Sequence, residues 1–447
     1  MTDLQTMITL AVFAGVILAI AFNVIDMFLA AMLGLSILTV TGSVTQQDLL
    51  NAVRAGGGSL ALLFGGMVVA RTLSPTGLFE NIGARFLLLT RGSGKRFLLG
   101  IIALVAPICA VLPNATAVIL VAPIIISTAV ALETDFVGPM VVTAIVSNSA
   151  GLLTLVGDPA TFIVGSSIGL TFLQYLQRVS LGGLLAVLII IPILPLVVGK
   201  VWRVQRDLPP DLRPKPIERR GLCAMSLAVL AVMIGLFLFG EDLPSRIVPP
   251  AVAIIAASLA LLVIYGAKVE PIDRVLRDVD WKTLVFIFCL FCLVEEFTKT
   301  GILKPVARNL HAWFGVSLLP IALVMLAGVA LASTVLANIP VVAAMVVLTK
   351  GYFFVAELMP EEALGALYTE WPLWSLPVFA GMMFGGTLGG NATLIGASAN
   401  IVSAGICAAR GRPVTFGTFM RYGVPITICQ LAVSAAYVLV LYYMIGR

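Results

Sequence analysis

The hydrophobic pattern of this chain is long and continuous, with apolar residues on every face. Runs of about 20 residues recur between short polar breaks, the length a helix needs to cross a bilayer. Those at 5–22, 24–41, 59–80, 181–199, 222–240, 248–266, 282–303 and 422–444 read as single spans. Two more, 138–168 and 374–409, are too long for one span, and Gly-rich stretches interrupt both. Apolar pairs at 97–132 and 316–356 turn at Pro113-Asn114 and at Ala337-Asn338. Each pair is either two full spans or a re-entrant helical hairpin, and both return the chain to the side it left. Lys350 favours the hairpin. It lies about 18 Å beyond Asn338 along a helix. A tip at the midplane carries it to the outer surface, whereas a full span leaves its charge in lipid at a cost of a few kcal/mol.

Composition agrees. Of 447 residues, 60% are hydrophobic and 11% charged, with a mean hydropathy of +1.11. A soluble domain carries about 25% charged residues. That excludes a soluble enzyme, a disordered chain and a nucleic-acid module. No basic n-region or small-residue cleavage site opens the chain, so the first apolar run is expected to be retained. The six cysteines fall mostly in apolar runs and read as small buried hydrophobes. The Cys289/Cys292 pair reads as packing, with no metal site expected.

The net charge of +5 matters less than its placement. Arg85, Arg91, Lys95 and Arg96 share one loop, and seven basic residues lie between Lys200 and Arg220. Lys268, Arg274, Arg277 and Lys282 share a third loop; Arg410, Arg412 and Arg421 share a fourth. The span count puts all four on one face. The other face receives Arg54, Arg178, Arg246, Lys299, Lys304 and Arg308. By the positive-inside rule the four basic loops are cytoplasmic and both termini lie outside.

The chain repeats itself. FGGMVVARTLSPTGLF (64–79) matches FCLFCLVEEFTKTGIL (288–303), and AVLPNATAV (110–118) matches TVLANIPVV (334–342), both at an offset of 224. AGLLTLVGDPATFIVG (150–165) matches GGNATLIGASANIVSA (389–404) at an offset of 239. Each half holds five spans plus one hairpin. Five is odd, so the second half is inverted. The predicted fold is an all-α polytopic membrane protein of two inverted repeats, each with five transmembrane helices, one broken, plus a re-entrant helical hairpin. The first repeat covers 1–199, a Pro-rich charged linker 200–220, and the second repeat 221–447.

Inverted repeats with interrupted helices at the midplane point to a secondary transporter and its site. Irregular backbone at that depth survives only inside protein or beside a water-filled cavity. The runs at 154–159 and 393–398 are such interruptions. Pro159 suits the first position of a half-helix, with Asp158 as its N-cap. Ser398 or Asn400 is expected to cap the second. Helix starts after Asn114 and Asn338 bring four partial positive poles together, which favours an oxyanion or the oxygens of an oxyacid. The candidate binding residues are Asn114, Ala115, Thr116, Asn148, Thr154, Gly157, Asp158, Pro159, Asn338, Asn391, Thr393, Gly396, Ser398 and Asn400. Asp158 is the carboxylate at the breaks and the candidate for ion coupling. Arg71, placed in mid-span, is a candidate for coupling or charge pairing, with its repeat mate Glu295 and with Glu296. Asn23 and Asp26 read as a turn, and His311 as a residue of an outer loop. The Gly92-Ser93-Gly94-Lys95 run lacks the first Gly and the Ser/Thr of a phosphate loop.

At its break motifs the chain resembles the ion-transporter superfamily, citrate-transporter-like. It is most similar to the branch of arsenical pump membrane proteins, NhaD-type sodium/proton antiporters and the pink-eyed-dilution P protein. Members carry runs similar to GGTATLIGDPPN and GGNGTLIGASAN; here they read AGLLTLVGDPAT and GGNATLIGASAN. The resemblance implies a scaffold that often dimerises and a moving part that works by an elevator-like shift. The Asn114-Ala115-Thr116 tip resembles that of sodium/dicarboxylate symporters, which binds sodium and substrate carboxylate. Relatives that couple to cations tend to carry Asp before each tip Asn. Here Pro113 and Ala337 stand there, which leaves Asp158 as the titratable group.

The expected activity is secondary transport of a small inorganic or organic oxyanion or oxyacid, arsenite- or silicate-like, coupled to protons or sodium. No cofactor, enzymatic activity or nucleic-acid partner is expected; a homodimer in the inner membrane is. The rivals are a sodium-coupled dicarboxylate or sulfate symporter and, in another class, an ion channel.

Overall fold

Each apolar run becomes a helix because lipid leaves backbone groups no other partner. The computed structural model describes residues 3–21, 24–207, 217–365, 368 and 370–445. Asn23 and residues 208–216 of the linker lie outside them. The first half comprises α1 (Asp3–Ala21), α2 (Met27–Val40), α3 (Gln46–Leu73), α4 (Leu78–Thr90), α5 (Gly94–Cys109), α6 (Asn114–Ala131), α7 (Val137–Ala150) and α8 (Pro159–Ser167). It continues through α9 (Phe172–Arg178), α10 (Ser180–Leu188), α11 (Ile190–Val197) and α12 (Gly199–Trp202). The second half comprises α13 (Arg220–Phe239), α14 (Pro249–Ala267), α15 (Ile272–Arg277), α16 (Trp281–Lys299), α17 (Leu303–Phe314) and α18 (Leu318–Val335). It ends with α19 (Asn338–Val355), α20 (Leu376–Gly389), α21 (Ser398–Ala409) and α22 (Phe416–Ile445). Among the described residues nine helices are long and apolar enough to cross a bilayer singly, and α8 and α9 form a pair bent by 104°.

The offsets read from sequence recur in the helix bounds. Adding 224 carries Asn114–Ala131 onto Asn338–Val355, and adding 239 carries Val137–Ala150 onto Leu376–Gly389. The inversion is visible in two ion pairs. Asp48 at the start of α3 pairs with Lys299 at the end of α16. Arg71 at the end of α3 pairs with Asp278 just before α16, at 2.6 Å. These equivalent helices therefore run antiparallel.

Two groups of helices emerge. In one, α3 packs against α13, α14 and α16, and α16 against α1 and α2. In the other, hairpins α5–α6 and α18–α19 pack against α7 and α20–α22. The second group is tightest where α20 meets α18. Gly381, Gly385 and Gly389 recur every fourth residue, and an added Cβ at the first two would lie 2.5 Å from the carbonyl oxygens of Ala322 and Leu326. Small residues at that spacing let helix backbones meet.

Several expectations need correction. The helix expected at 59–80 starts at Gln46, because its polar first turns are held by a capping box between Thr45 and Asp48. Arg71 therefore sits in a last turn, not in mid-span. Residues 78–90 and 303–314, expected to be largely loop, form α4 and α17. His311 thus lies on a helix, with Nδ1 3.2 Å from the Gly315 carbonyl. Lys350 is enclosed by protein. It is buried under the segment after α19, donating to the Gly365 carbonyl at 3.2 Å beside the Trp371 ring. Gly92 and Gly94 pack against residues 201–206 of the linker, with Gly94 N donating to Val204 O at 2.9 Å. Asp26 accepts from Phe28 N and caps α2, in keeping with a turn role.

Candidate functional site

The two hairpin tips and the two helix breaks meet at one cavity of about 560 Å³. Four helices start at its wall: α6 at Asn114, α8 at Asp158-Pro159, α19 at Asn338 and α21 at Ala397-Ser398. A helix start leaves backbone N–H groups without intrahelical partners. Three of these starts have no side-chain cap, since Pro113, Ala337 and Ala397 occupy their N-cap positions. These three starts therefore leave first-turn N–H groups with no side-chain acceptor, although Pro340 carries none and Asn400 N already donates to Ala397 O at 3.1 Å. The fourth is capped by Asp158, whose carboxylate accepts from Thr161 N.

Asp158 is 3% exposed and held from several sides. Asn114 Nδ2 donates to its Oδ1 at 3.3 Å and Thr387 Oγ1 to its Oδ2 at 3.4 Å. Asn114 Oδ1 is buried with no hydrogen-bond partner. A carboxylate beside an orphaned amide oxygen is a donor set that suits a proton or a small cation.

The structure brings Asn114, Ala115, Thr116, Asn148, Asp158, Pro159, Asn338 and Ser398 to the cavity wall. The other candidates stand behind it. Thr154 Oγ1 donates to the Ala110 carbonyl at the end of the first hairpin's descending helix. Thr393 Oγ1 donates to the equivalent Thr334 carbonyl at 2.5 Å. Each break is thereby tied to its own hairpin. Gly157 and Gly396 lie where backbone crosses backbone: an added Cβ would meet Gly151 O at 2.8 Å in the first and Gly390 O at 2.6 Å in the second. Asn391 and Asn400 are buried in a polar network behind Asn148. The expected cap by Ser398 or Asn400 is not found. Asn400 turns back, with Nδ2 donating to Gly390 O and Thr393 O at 2.8 Å each.

The charged candidates separate. Arg71 lines the cavity and pairs with Glu270 at 2.9 Å and with Asp278, not with Glu295 or Glu296. The reason is the antiparallel arrangement, which puts the end of α3 beside the start of α16. Glu296 pairs with Lys299 at 2.9 Å, at the far end of α16. No group of three metal-ligating side chains occurs among the described residues. Sequence reading missed Thr387, Asp278, Asp280, Ser149 and Gln430. The repeat offset carries a signal for one of them, since Thr387 is the mate of Asn148.

Comparison with known proteins agrees with this architecture. The model of a family described as CitMHS, citrate transporter, matches residues 17–369. The chain is 42% identical to a Synechocystis protein named uncharacterized transporter slr0753, over 98% of this chain and 97% of that one. It is 26% identical to the human P protein, over 99% of this chain but 61% of that protein. Among solved structures it is similar to the YdaH transporter of Alcanivorax borkumensis. The TM-score is 0.52 at 13% identity, covering 89% of this chain and 87% of that one, a likeness of fold alone.

Proposed function

The chain belongs to the CitMHS citrate-transporter family, and from that premise we propose that it is a secondary active carrier of a small oxyanion or oxyacid. The observation that carries this reading is the convergence of four helix starts, three of them uncapped, on one cavity. Uncapped N–H groups and aligned peptide dipoles bind anionic oxygens without a fixed cation. Asp158 is the proposed coupling group, taking up a proton or sodium together with Asn114. The walls carry Asp158, Asp278 and Asp280 against Arg71. A multiply charged substrate such as citrate is therefore proposed to enter with protons or a cation, whereas neutral or singly charged oxyacids such as arsenite need no such help. A sodium-coupled dicarboxylate symporter is the second reading, favoured by the cavity's size and the Asn-Ala-Thr tip.

We place the four basic loops in the cytoplasm and both termini outside the inner membrane, and expect a homodimer. Alternating access is proposed to come from an elevator-like shift of the hairpin group along α3. Gly66 supports this, because it leaves room for Pro113 at the tip of the first hairpin. The test is uptake by proteoliposomes under imposed proton, sodium and potential gradients. Asn114→Ala and Asn338→Ala should each abolish uptake while the protein stays folded. Wild-type rates in both variants, or no response to any gradient, would refute the reading.

A further inference from the structure

Asn148 lines the cavity yet is only 2% exposed, and both its amide protons are taken by side chains behind the wall. Nδ2 donates to Asn391 Oδ1 at 3.0 Å and to Asn400 Oδ1 at 2.9 Å. Which way an amide faces is decided by partners that can only donate or only accept. Two independent chains of such partners fix this one.

The first chain begins at a backbone carbonyl. Gln430 Nε2 donates to Ala186 O at 2.8 Å, so its Oε1 faces the other way and accepts from Asn391 Nδ2 at 3.0 Å. That leaves Asn391 Oδ1 as the acceptor turned toward Asn148. Ser149 reinforces this order: its hydroxyl donates to Ile145 O at 2.7 Å and accepts from Asn391 and Gln430. The second chain begins at two backbone carbonyls. Asn400 Nδ2 donates to Gly390 O and Thr393 O, so its Oδ1 is the acceptor toward Asn148. Both chains demand the amino group of Asn148. Its carbonyl oxygen, which accepts no hydrogen bond from the described residues, is what remains for the cavity.

We infer that Asn148 is a specificity-determining residue that accepts a hydrogen bond from an O–H group of the transported oxyacid, and that Gln430 is a positioning residue that sets this polarity. The inference rests on the carrier reading above and narrows it. The uncapped helix starts offer donors to the ligand's bare oxygens, while Asn148 offers an acceptor. A ligand that satisfies both carries ionised oxygens and at least one hydroxyl or protonated oxygen. An analogue without the hydroxyl leaves a buried acceptor unpaired, a loss that binding sites built around hydrogen bonds punish heavily.

Matched pairs test this: phosphate against sulfate, malate against succinate, and citrate against its deoxy analogue tricarballylate. Binding to purified full-length protein is measured by calorimetry, and uptake by proteoliposomes. The hydroxyl-bearing member of every pair that binds should be preferred by about tenfold or more. Asn148→Ala should bring the ratio close to one. Gln430→Leu should lower it by raising KM for the hydroxylated member alone, where a merely structural loss would lower both members equally. Equal handling of both members by the wild type, or an unchanged ratio in Asn148→Ala, overturns the inference while leaving a carrier in place. If sodium dependence vanishes in Asn148→Ala and the ratio persists, the carbonyl serves a cation and the inference also falls. If no member of any pair binds, the inference falls, and gradient-driven uptake of arsenite and silicate then decides whether the carrier reading stands.

Discussion

The two helix breaks share one backbone plan but differ in chemistry. In the first repeat the break ends on Asp158, a carboxylate that caps α8 and meets Asn114 and Thr387. In the second, Ala397 stands at the same place, and amides from Asn148, Asn391 and Asn400 fill the space behind it. The supporting helices differ too. Val142, Val146 and Ala150 in α7 occupy the positions that Gly381, Gly385 and Gly389 hold in α20. Duplication preserved what the backbone needs, namely a glycine where chains cross and a threonine that ties each break to its hairpin. Side chains facing the ligand were free to diverge. One break became the charged half of the site and the other the neutral half.

Making the repeats alike should expose this division. The largest effect is expected from Gly385→Val, which gives α20 the residue that α7 uses. Its side chain would meet the Leu326 carbonyl, and backbone cannot yield as a side chain does. A loss of about 3 kcal/mol or more is expected, read as a fall in folded yield and unfolding temperature in detergent. Normal stability would show that the close approach is incidental. Next comes Asp158→Asn. Asparagine caps a helix as well as aspartate, so the fold should survive while the proton or sodium dependence of uptake flattens. Unchanged coupling would reduce Asp158 to a cap. A smaller effect, about a tenfold loss of uptake, is expected from Ala397→Asp, which buries a second carboxylate without a cation. Wild-type uptake would mean that the two breaks are interchangeable. Least of all, Thr154→Val and Thr393→Val should each cost about 1 kcal/mol, one hydrogen bond apiece, in thermal unfolding. A cost at one position and none at the other would break the equivalence.

Much of this fold was legible in the chain because its signals are local. Apolar run length reports helices, since lipid forbids the alternatives. The Pro after Asp158 marks a helix start, and the matched Gly157 and Gly396 mark a break seen twice. Other features had no local signal. The polar stretch after Gln46 looked unlike a span until α3 was seen packed against α14 and α16. Amphipathic α4 and α17 read as loops because their polar faces dominate short windows.

The sequence by itself determined the membrane class, the repeat offsets, the inversion by parity, and the four helix starts at the hairpin tips and the breaks. Each is a property of a contiguous segment or of a comparison between two segments. Tertiary structure decided which groups meet: Arg71 with Glu270 and Asp278, Thr387 with Asp158, and Gln430 with Asn391. Partners of that kind lie up to 281 residues apart, as Gln430 and Ser149 do. Packing between helices distant in sequence joins them, and hydrogen bonding over about 3 Å depends on that packing rather than on chain spacing.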